Sequence, residues 1–241
     1  MATTLVWDAV GTHWYETGVS HGVLYPMSKD SSGKPVYGAG VAWNGLTSVS
    51  ESPDGADAND LWADNIKYAS LRAAETFGGT IEAYTYPDEW AECDGSKAIG
   101  GAGVYVGQQP RKSFGLSYRT EQGNDIDSNI DDGYKIHLIY NATASPSDRQ
   151  YETINDSPDA ITFSWEYTTN PVAFTDAAAI AAGLKPVSCI TIDVAKLKAA
   201  QGGQAKVEAL EAKLYGDGTS AAALPTPDQI YTWATTGSFP T

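Results

Sequence analysis

Three segments in the middle of the chain alternate apolar and polar residues with the period of a β-strand. They span 113–119, 134–140 and 161–168. A period of two directs one set of side chains into a core and the other set to the opposite face of the sheet. Burial on one face is typical of an antiparallel sheet that packs on a second sheet or on a helix. The pattern therefore predicts a mainly β protein, with these apolar positions in its core: Phe114, Leu116, Tyr118, Tyr134, Ile136, Leu138, Tyr140, Ile161, Phe163, Trp165 and Tyr167.

The first part of the chain carries weaker strand signals. Segments 22–27 and 36–43 flank a short stretch of Lys, Asp, Ser and Gly, which predicts a hairpin. Segments 66–71 and 80–86 are further strand candidates. By contrast, residues 1–21 show no period and predict an extended arm.

Residues 47–65 are acidic and rich in turn-forming residues, so we expect a long loop there. Later in the chain, 187–192 predicts a strand, and Asp193 is placed to cap a short helix over 194–200. A second helix is predicted over 204–214, because Val207, Leu210 and Leu214 recur on one helical face. The Pro-rich stretch 224–227 predicts a stiff extended connector.

Charge and composition exclude several classes of protein. The 241 residues include 30 Asp and Glu against 15 Lys and Arg, for a formal net charge of −15. Such a chain lacks the clustered cations that bind nucleic acid or anionic lipid. No apolar run is long enough to span a membrane, and the N-terminus does not resemble a secretion signal. The two cysteines, Cys93 and Cys189, predict free thiols in a protein made in a reducing cytoplasm.

Motifs for metals and cofactors are incomplete. The segment from Asp125 to Asn129 begins like a calcium loop, but Ile130 and Ile136 stand where such a loop needs Gly and Glu. A solvated hairpin tip is the better interpretation. The glycine pairs lack the spacing of a phosphate-binding loop, and His and Cys lack zinc-ligand spacing. We expect no metal and no cofactor, with His137 on the less buried side of its strand.

A cluster of carboxylates near the aromatic residue Trp90 raises the possibility of a glycosidase. Asp88, Glu89 and Glu92 are the acidic residues concerned. Glycosidases place two such groups across a sugar cleft. The same residues also fit the acidic first turn of a helix, where the helix dipole favours them. We favour the helix turn and expect no enzymatic activity.

The chain is rich in aromatic residues, with 14 Tyr and 7 Trp. Such residues form either sugar-binding faces or anchors at protein–protein interfaces. Trp165 lies on the apolar face of a predicted strand and belongs to the core. Trp7, Trp14, Trp62 and Trp233 fall in irregular segments, where large aromatics usually need a covering partner. These four therefore indicate contacts with other subunits.

Nine stretches, taken in order, resemble a known family. The sequence is similar to the major tail protein, or tail tube subunit, of long non-contractile-tailed bacteriophages of the siphophage type. No immunoglobulin-like appendage, such as some members carry, follows the matching part. The resemblance rests on 18–27, 62–68, 78–90, 112–125, 134–153, 161–172, 190–199, 206–218 and 224–233.

The resemblance implies a two-sheet β-sandwich, barrel-like in shape, with a flanking helix, a long loop and extended terminal arms. The arm would be 1–21, the tail tube domain 22–215 (with the loop 47–65), and the C-terminal extension 216–241. Subunits would form hexameric rings that stack into a hollow tube around a tape-measure protein. Tail terminator and distal tail or baseplate proteins would cap the tube, through which double-stranded DNA passes without specific binding. The protein would be part of the virion, made in the host cytoplasm, with no membrane partner.

Within this picture, specific residues are candidates for assembly. An acidic wall would repel DNA weakly rather than hold it, and strands 113–119 and 134–140 are candidates to line the bore.

The alternative to a tube subunit is a carbohydrate-binding β-sandwich module, and an enzyme ranks last. The candidates for contacts between subunits are Trp7, Trp14, Trp62, Asp64, Asn65, Tyr231 and Trp233. The acidic candidates for the lumen or for ring stacking are Asp54, Asp57, Asp60, Asp125, Asp127, Asp131 and Asp132.

Overall fold

The computed structural model describes residues 4–29, 35–55, 58–72, 75–100, 103–126, 133–151, 153–154 and 159–240. Strands predominate, which confirms the mainly β prediction. The strands are β1 (Tyr15–Lys29), β2 (Pro35–Tyr37), β3 (Val41–Trp43), β4 (Leu46–Gly55), β5 (Ala58–Ala63), β6 (Ile66–Arg72), β7 (Glu75–Ala83), β8 (Lys97–Ala98), β9 (Tyr105–Val106), β10 (Phe114–Gly123), β11 (Tyr134–Ala144), β12 (Phe163–Thr169) and β13 (Cys189–Asp193). The helices are α1 (Trp90–Cys93), α2 (Ala177–Ala181), α3 (Val194–Ala199), α4 (Gly203–Tyr215) and α5 (Pro227–Thr236).

One antiparallel sheet of nine strands organises the molecule. Its order is β2-β1-β10-β11-β12-β7-β4, with β3 paired to β1 and β13 paired to β11. The sheet forks at β11, because Lys135–Ile139 pair with β13 whereas Ala142–Ala144 pair with β12. The two-sheet sandwich of the prediction is thus one hydrogen-bonded sheet with two branches, and the described strands do not close into a barrel.

An aromatic core fills one face of the sheet. Trp90, from the short helix α1, lies with its ring centroid 4.6 Å from Trp43, 5.3 Å from Trp165 and 4.9 Å from Phe114. The tilted and edge-on arrangement of these rings is the favoured one for aromatic pairs. All four side chains are almost fully buried, so this cluster joins β3, β10, β12 and α1. Ile161, expected in the core, precedes β12 and is 41% exposed.

A second core lies on the opposite face of the sheet, is formed by residues of β1, β11 and β13, and is covered by helices. Val207, Leu210 and Leu214 of α4 are buried against β11, as their spacing predicted. Asp193 caps α3 by accepting the Lys196 backbone N–H at 2.9 Å, which confirms the predicted cap. Strand β11 therefore has a core on each face, and residues 114–118 of β10 are all buried. The prediction that they line a lumen is wrong, because neither has a free face.

The C-terminal segment contains a helix that the sequence analysis did not predict. Helix α5 begins with a capping box between Thr226 and Gln229, with Pro227 in its first turn. Ile230 and Trp233 of α5 are buried in the second core. The described part of the C-terminal segment, 216–240, is therefore packed over much of its length onto the body of the protein.

The predicted loop 47–65 instead forms strands over 47–55 and 58–63. Strand β4 pairs with β7 along its whole length, and β5 pairs with β6 in a separate two-stranded sheet. The predicted arm 1–21 is also shorter, because β1 begins at Tyr15 and pairs there with Gly123 of β10. In both places the sequence has no clear strand period, and pairing with a neighbouring strand determines the conformation.

Candidate assembly surfaces

The β5–β6 hairpin, residues 58–72, has one mainly apolar face, which also carries Asn59. Residues directly opposite each other in an antiparallel pair share a face. The pairing therefore places Leu61 with Ala69, and Ala63 with Ile66, on the same side. Leu71 lies on that side too, opposite Asn59. The side chains of Leu61, Ile66 and Leu71 are 41%, 62% and 57% exposed, so this apolar face is uncovered in the monomer.

The other face of the hairpin is polar. Asp60 accepts hydrogen bonds from the Lys67 ammonium at 2.7 Å and from the Ser70 hydroxyl at 2.8 Å. These two donors, Lys67 first, hold the pKa of Asp60 below its ordinary value. Trp62, opposite Lys67, lies on this side and is 69% exposed. The hairpin is therefore amphipathic, with its ion pair on one side and its aliphatic residues on the other.

Two of the predicted contact residues form the tip of this hairpin. Asp64 and Asn65 both adopt the left-handed conformation, with φ of 49° and 63°. A two-residue hairpin turn with positive φ at both positions is a type I′ turn, for which Asn and Asp are favoured. Turn geometry alone accounts for these two residue types, so their presence is not evidence of a contact.

A second exposed segment is the N-terminal arm, residues 4–14. Trp7 and Trp14 are 74% and 55% exposed, and Leu5, Val6 and Val10 are exposed beside them. The Asp125 carboxylate anchors this arm by accepting the backbone N–H groups of Gly11 and His13 at 3.1 and 3.2 Å. The Gly11 N–H contributes most and the His13 side chain next to lowering the pKa of Asp125 to about 2. The structure thus gives Asp125 a local role that holds the arm.

The outer face of β4, β7 and β12 carries hydroxyl and carboxylate groups. The pairing aligns Ser48, Glu82 and Ser164 in one row across the three strands. The next row contains Ser50, Thr80 and Glu166, and the third contains Ser52, Gly78 and Thr168. We call these nine residues the hydroxyl–carboxylate face. It contains no Lys or Arg, and the alternate residues of the same strands, such as Ile81 and Trp165, face the aromatic core.

The remaining predicted site residues have different surroundings. Trp233 is 2% exposed, and its Nε1 donates to the Lys206 carbonyl oxygen at 3.0 Å. It is a core residue, which corrects its assignment to an irregular, uncovered segment. Tyr231 on the same helix is half-buried. Asp54 accepts the adjacent Gly55 N–H at 2.7 Å. Four further candidates lie outside the described residues: Asp57, Asp127, Asp131 and Asp132.

The carboxylates considered for catalysis have different surroundings. Glu92 is paired with Lys112, whereas Asp88 and Glu89 are exposed before α1. Among the described residues, no group of three or more His, Cys, Asp and Glu side chains could hold a metal ion. No helix in the described part of the chain is long and apolar enough to cross a bilayer.

His137 lies on the less buried side of β11, as predicted, but it is nevertheless largely enclosed. Its side chain is only 11% exposed and stacks on the Tyr118 ring, with 4.7 Å between centroids and an interplanar angle of 2°. The ring is enclosed because β11 is covered on both faces, so its polar positions are covered as well. Carboxylates from two other strands approach this ring, a grouping that no spacing in the sequence indicates.

Comparison with known proteins identifies the class. The sequence matches the family described as phage tail tube protein over residues 12–215. The chain belongs to this family and is a structural component of a phage tail. No curated protein matches the sequence. Among solved structures, the cryo-EM structure of the anti-feeding prophage baseplate, 6-fold symmetrised, contains a chain 9% identical to this one. The alignment covers 80% of this chain and 98% of that chain, and its TM-score of 0.33 is too low to establish a shared fold.

Proposed function

We propose that this protein is the tail tube subunit of a long non-contractile, siphophage-type tail. Its subunits form hexameric rings that stack into a hollow tube, through which double-stranded DNA reaches the host. The tube encloses a tape-measure protein and is bounded by terminator and distal tail or baseplate proteins. Membership of the family supports the assignment as a structural tail protein. The amphipathic β5–β6 hairpin is the observation that supports the proposal of stacked rings.

The hairpin is suited to hold neighbouring subunits together. Isolated two-stranded hairpins are marginally stable in water, and an uncovered aliphatic face is a liability in a monomer. Covering Leu61, Ile66 and Leu71 removes apolar surface from water, which favours association at about 25 cal/mol per Å² before the costs of binding. A hairpin that docks on a different surface of the next subunit makes a head-to-tail contact, and such contacts build rings or filaments.

The hydroxyl–carboxylate face is suited to line the bore. A surface that DNA must slide past should add no phosphate contacts, because each Lys or Arg contact contributes counterion-release affinity. Glu82 and Glu166 repel phosphates, and the hydroxyl groups between them supply a hydrated, uncharged surface. We assign the lumen to this face in place of strands 113–119 and 134–140.

Electron microscopy of the purified full-length protein, combined with its solution mass, tests the proposal. We expect rings or hollow filaments with a regular repeat. The variant Ile66→Asp places a charge on the apolar face of the hairpin and should abolish them. The variant Ala58→Asp places the same charge on the polar face, opposite Arg72, and should leave assembly unchanged.

The outcomes separate the possibilities. Loss of assembly only in Ile66→Asp supports stacking through the apolar face. Equal assembly of both variants would exclude the apolar face of the hairpin as the contact. The wild-type protein could also remain monomeric at every concentration, even when the other tail proteins are added. That result would contradict the proposal and favour the alternative, a carbohydrate-binding module.

A further inference from the structure

A second two-stranded sheet, β8 with β9, also leaves an aliphatic face uncovered. Lys97 of β8 is paired with Val106 of β9. The Ile99 N–H donates to the Val104 carbonyl oxygen at 2.9 Å, so these two residues lie opposite each other as well. Opposed residues share a face and alternate residues return to it, which places all four side chains on one side. We call these four residues the ribbon face. Its three aliphatic members are 56% (Ile99), 57% (Val104) and 39% (Val106) exposed.

The opposite side of β8 and β9 faces the body of the protein. Tyr105 lies on that side and, with Ala91 and Asp94, lines a cavity of about 220 Å³ beside α1. The Gln109 N–H donates to the Gly95 carbonyl oxygen at 2.9 Å and closes the base of the two strands. The ribbon face therefore points away from the body.

The ribbon face and the apolar face of the β5–β6 hairpin are alike in form. Each is one side of a two-stranded sheet and carries aliphatic side chains. Leu61, Ile66 and Leu71 of the hairpin are exposed in the same molecule that exposes Ile99 and Val104, so the two faces do not cover each other within one chain. Flat faces of paired strands pack by interdigitating their side chains. Each face is therefore a suitable cover for the other in a second copy.

The segments that carry the two faces have opposite charges. Segment 95–120 contains four basic residues and no acidic one, although the whole chain has a net charge of −15. Segment 51–64 contains five acidic residues and no basic one. Opposite charges around a contact favour the correct partner, and like charges disfavour the wrong one. Docking of the hairpin on the ribbon face is therefore favoured over docking of either face on its own kind.

Each surface also carries a charge without an ion-pair partner in its own chain. Asp60 is already paired with Lys67 on the polar side of the hairpin. Lys97 on the ribbon face and Asp64 at the tip of the hairpin are exposed, and neither forms an ion pair with any described residue. Each surface thus offers one unpaired charge of the sign that the other needs.

We propose that the β5–β6 hairpin of one copy docks with its apolar face on the ribbon face of the next copy. This inference rests on the proposed function, in which the hairpin joins subunits, and it names the surface that receives the hairpin. Each copy has one surface of each kind, so the contact is head-to-tail and repeats from copy to copy. Lys97 covers apolar surface with its aliphatic stem and keeps its ammonium group at the border of the contact. The aliphatic centre of the contact consists of Leu61, Ile66 and Leu71 on one copy and Ile99, Val104 and Val106 on the other.

The N-terminal arm, residues 4–14, is the other uncovered apolar segment and is less suited to the ribbon face. It is a single segment without a paired strand, so it presents no flat face. Its one carboxylate, Asp8, already lies 3.5 Å from His13 Nε2. The hairpin matches the ribbon face in shape, apolarity and charge, whereas the arm matches it in apolarity alone.

Two single variants and their mixture test the contact. Ile66→Asp disables the hairpin and leaves the ribbon face intact, whereas Val104→Asp does the reverse. Neither full-length variant should form filaments alone. Their equimolar mixture retains one usable contact, so we expect a complex of about twice the mass of the species that either variant forms alone, with no further growth. Native mass spectrometry with one variant isotopically labelled measures both the mass and the presence of both variants.

Two further variants serve as controls. Ile99→Asp changes the same face at a second exposed position and should behave as Val104→Asp does in the mixture, so the test does not depend on the folding of one variant. Gly107→Asp, just beyond β9, should assemble as the wild-type protein does, because a side chain there meets nothing within 4 Å. Circular dichroism of each variant verifies that it is folded.

Two results would overturn the inference. One is normal assembly of Val104→Asp and Ile99→Asp, which excludes the ribbon face as a contact. The other is a mixture in which no complex forms, which means that the two faces bind different partners, such as the N-terminal arm of another copy. Both results leave the wild-type tubes, and with them the proposed function, in place. A wild-type protein that never assembles would instead contradict both the tube and this contact.

Discussion

His13 and Asp125 lie in contact, with 3.2 Å between His13 Nδ1 and Asp125 Oδ2. The same carboxylate accepts the backbone N–H groups of Gly11 and His13. One side chain near the end of β10 thus holds the N-terminal arm in three ways. The arm has few other attachments, so its docking depends on the charges of this pair.

The docking of the arm should depend on pH. Hydrogen bonds to Asp125 and then to Asp8 raise the pKa of His13 above 6.5. A raised pKa means that the contribution of His13 is complete below pH 6.5 and is lost as the pH rises through the raised value. Hydrogen exchange of the amides in 4–14, corrected for intrinsic rates, should therefore show less protection at pH 9 than at pH 6.

The matched variants His13→Gln and His21→Gln separate this effect from general loosening. His13→Gln should remove the pH dependence, whereas His21→Gln, on the exposed bulge of β1, should keep it. Equal protection at both pH values in the wild-type protein would show that the backbone contacts to Asp125 suffice. The pKa of Asp125 is lowered to about 2, so its own contribution disappears only as the pH falls toward that value.

Helix α5 should contribute to global stability. Trp233 is almost fully buried and donates to the Lys206 carbonyl oxygen. We expect Trp233→Ala to lower the free energy of unfolding by about 3–5 kcal/mol, since it removes a large buried side chain. The exposed neighbour substitution Thr235→Ala should change it by less than about 0.5 kcal/mol. Urea denaturation of both variants measures the difference, and equal stabilities would show that α5 is detached in solution.

The sequence predicted the strands that are regular and missed those whose composition is typical of loops. The alternation over 134–140 identified β11 because each apolar side chain meets the helical core. Strand β4 was not predicted because Ser50, Ser52 and Pro53 are typical of turns. Its Leu46 and Val49 pack against the aromatic core. Helix α5 could have been found from Thr226, Pro227 and Gln229, which together form a recognisable helix start.

The candidate surfaces were less predictable than the fold. The sequence indicated Trp7, Trp14 and Trp62 as uncovered, and all three are exposed in the monomer. It also indicated Trp233 as uncovered, which is wrong, because the burial of Trp233 depends on where α5 packs. The hydroxyl–carboxylate face and the surroundings of His137 both depend on which residues are paired across strands distant in sequence. Such pairing is set by the tertiary fold and leaves no local period.

Gly79 should be irreplaceable where β4, β7 and β12 meet. A Cβ atom at this position would lie 1.9 Å from the Ser50 carbonyl oxygen and 2.7 Å from the Tyr167 hydroxyl. Because the nearest atom belongs to the backbone of a paired strand, Gly79→Ala should cost at least about 1–3 kcal/mol. Gly107→Ala is the control, since a Cβ there meets nothing within 4 Å. Thermal unfolding should distinguish them, and a tolerated Gly79→Ala would mean that β4 separates from β7 at little cost.

Reversing charge on the hydroxyl–carboxylate face should turn a surface that DNA passes into one that retains it. The double variant Glu82→Lys/Glu166→Lys places two cations where phosphates would pass, and each phosphate contact strengthens binding and its salt dependence. We expect its tubes to co-sediment with double-stranded DNA at about 50 mM salt and to release it at about 200 mM, and phage carrying it to eject DNA more slowly. The control Asp88→Lys/Glu89→Lys makes the same change in net charge on exposed residues before α1. Equal DNA retention by both double variants would show that net charge alone causes the retention. It would contradict the assignment of the lumen to the hydroxyl–carboxylate face.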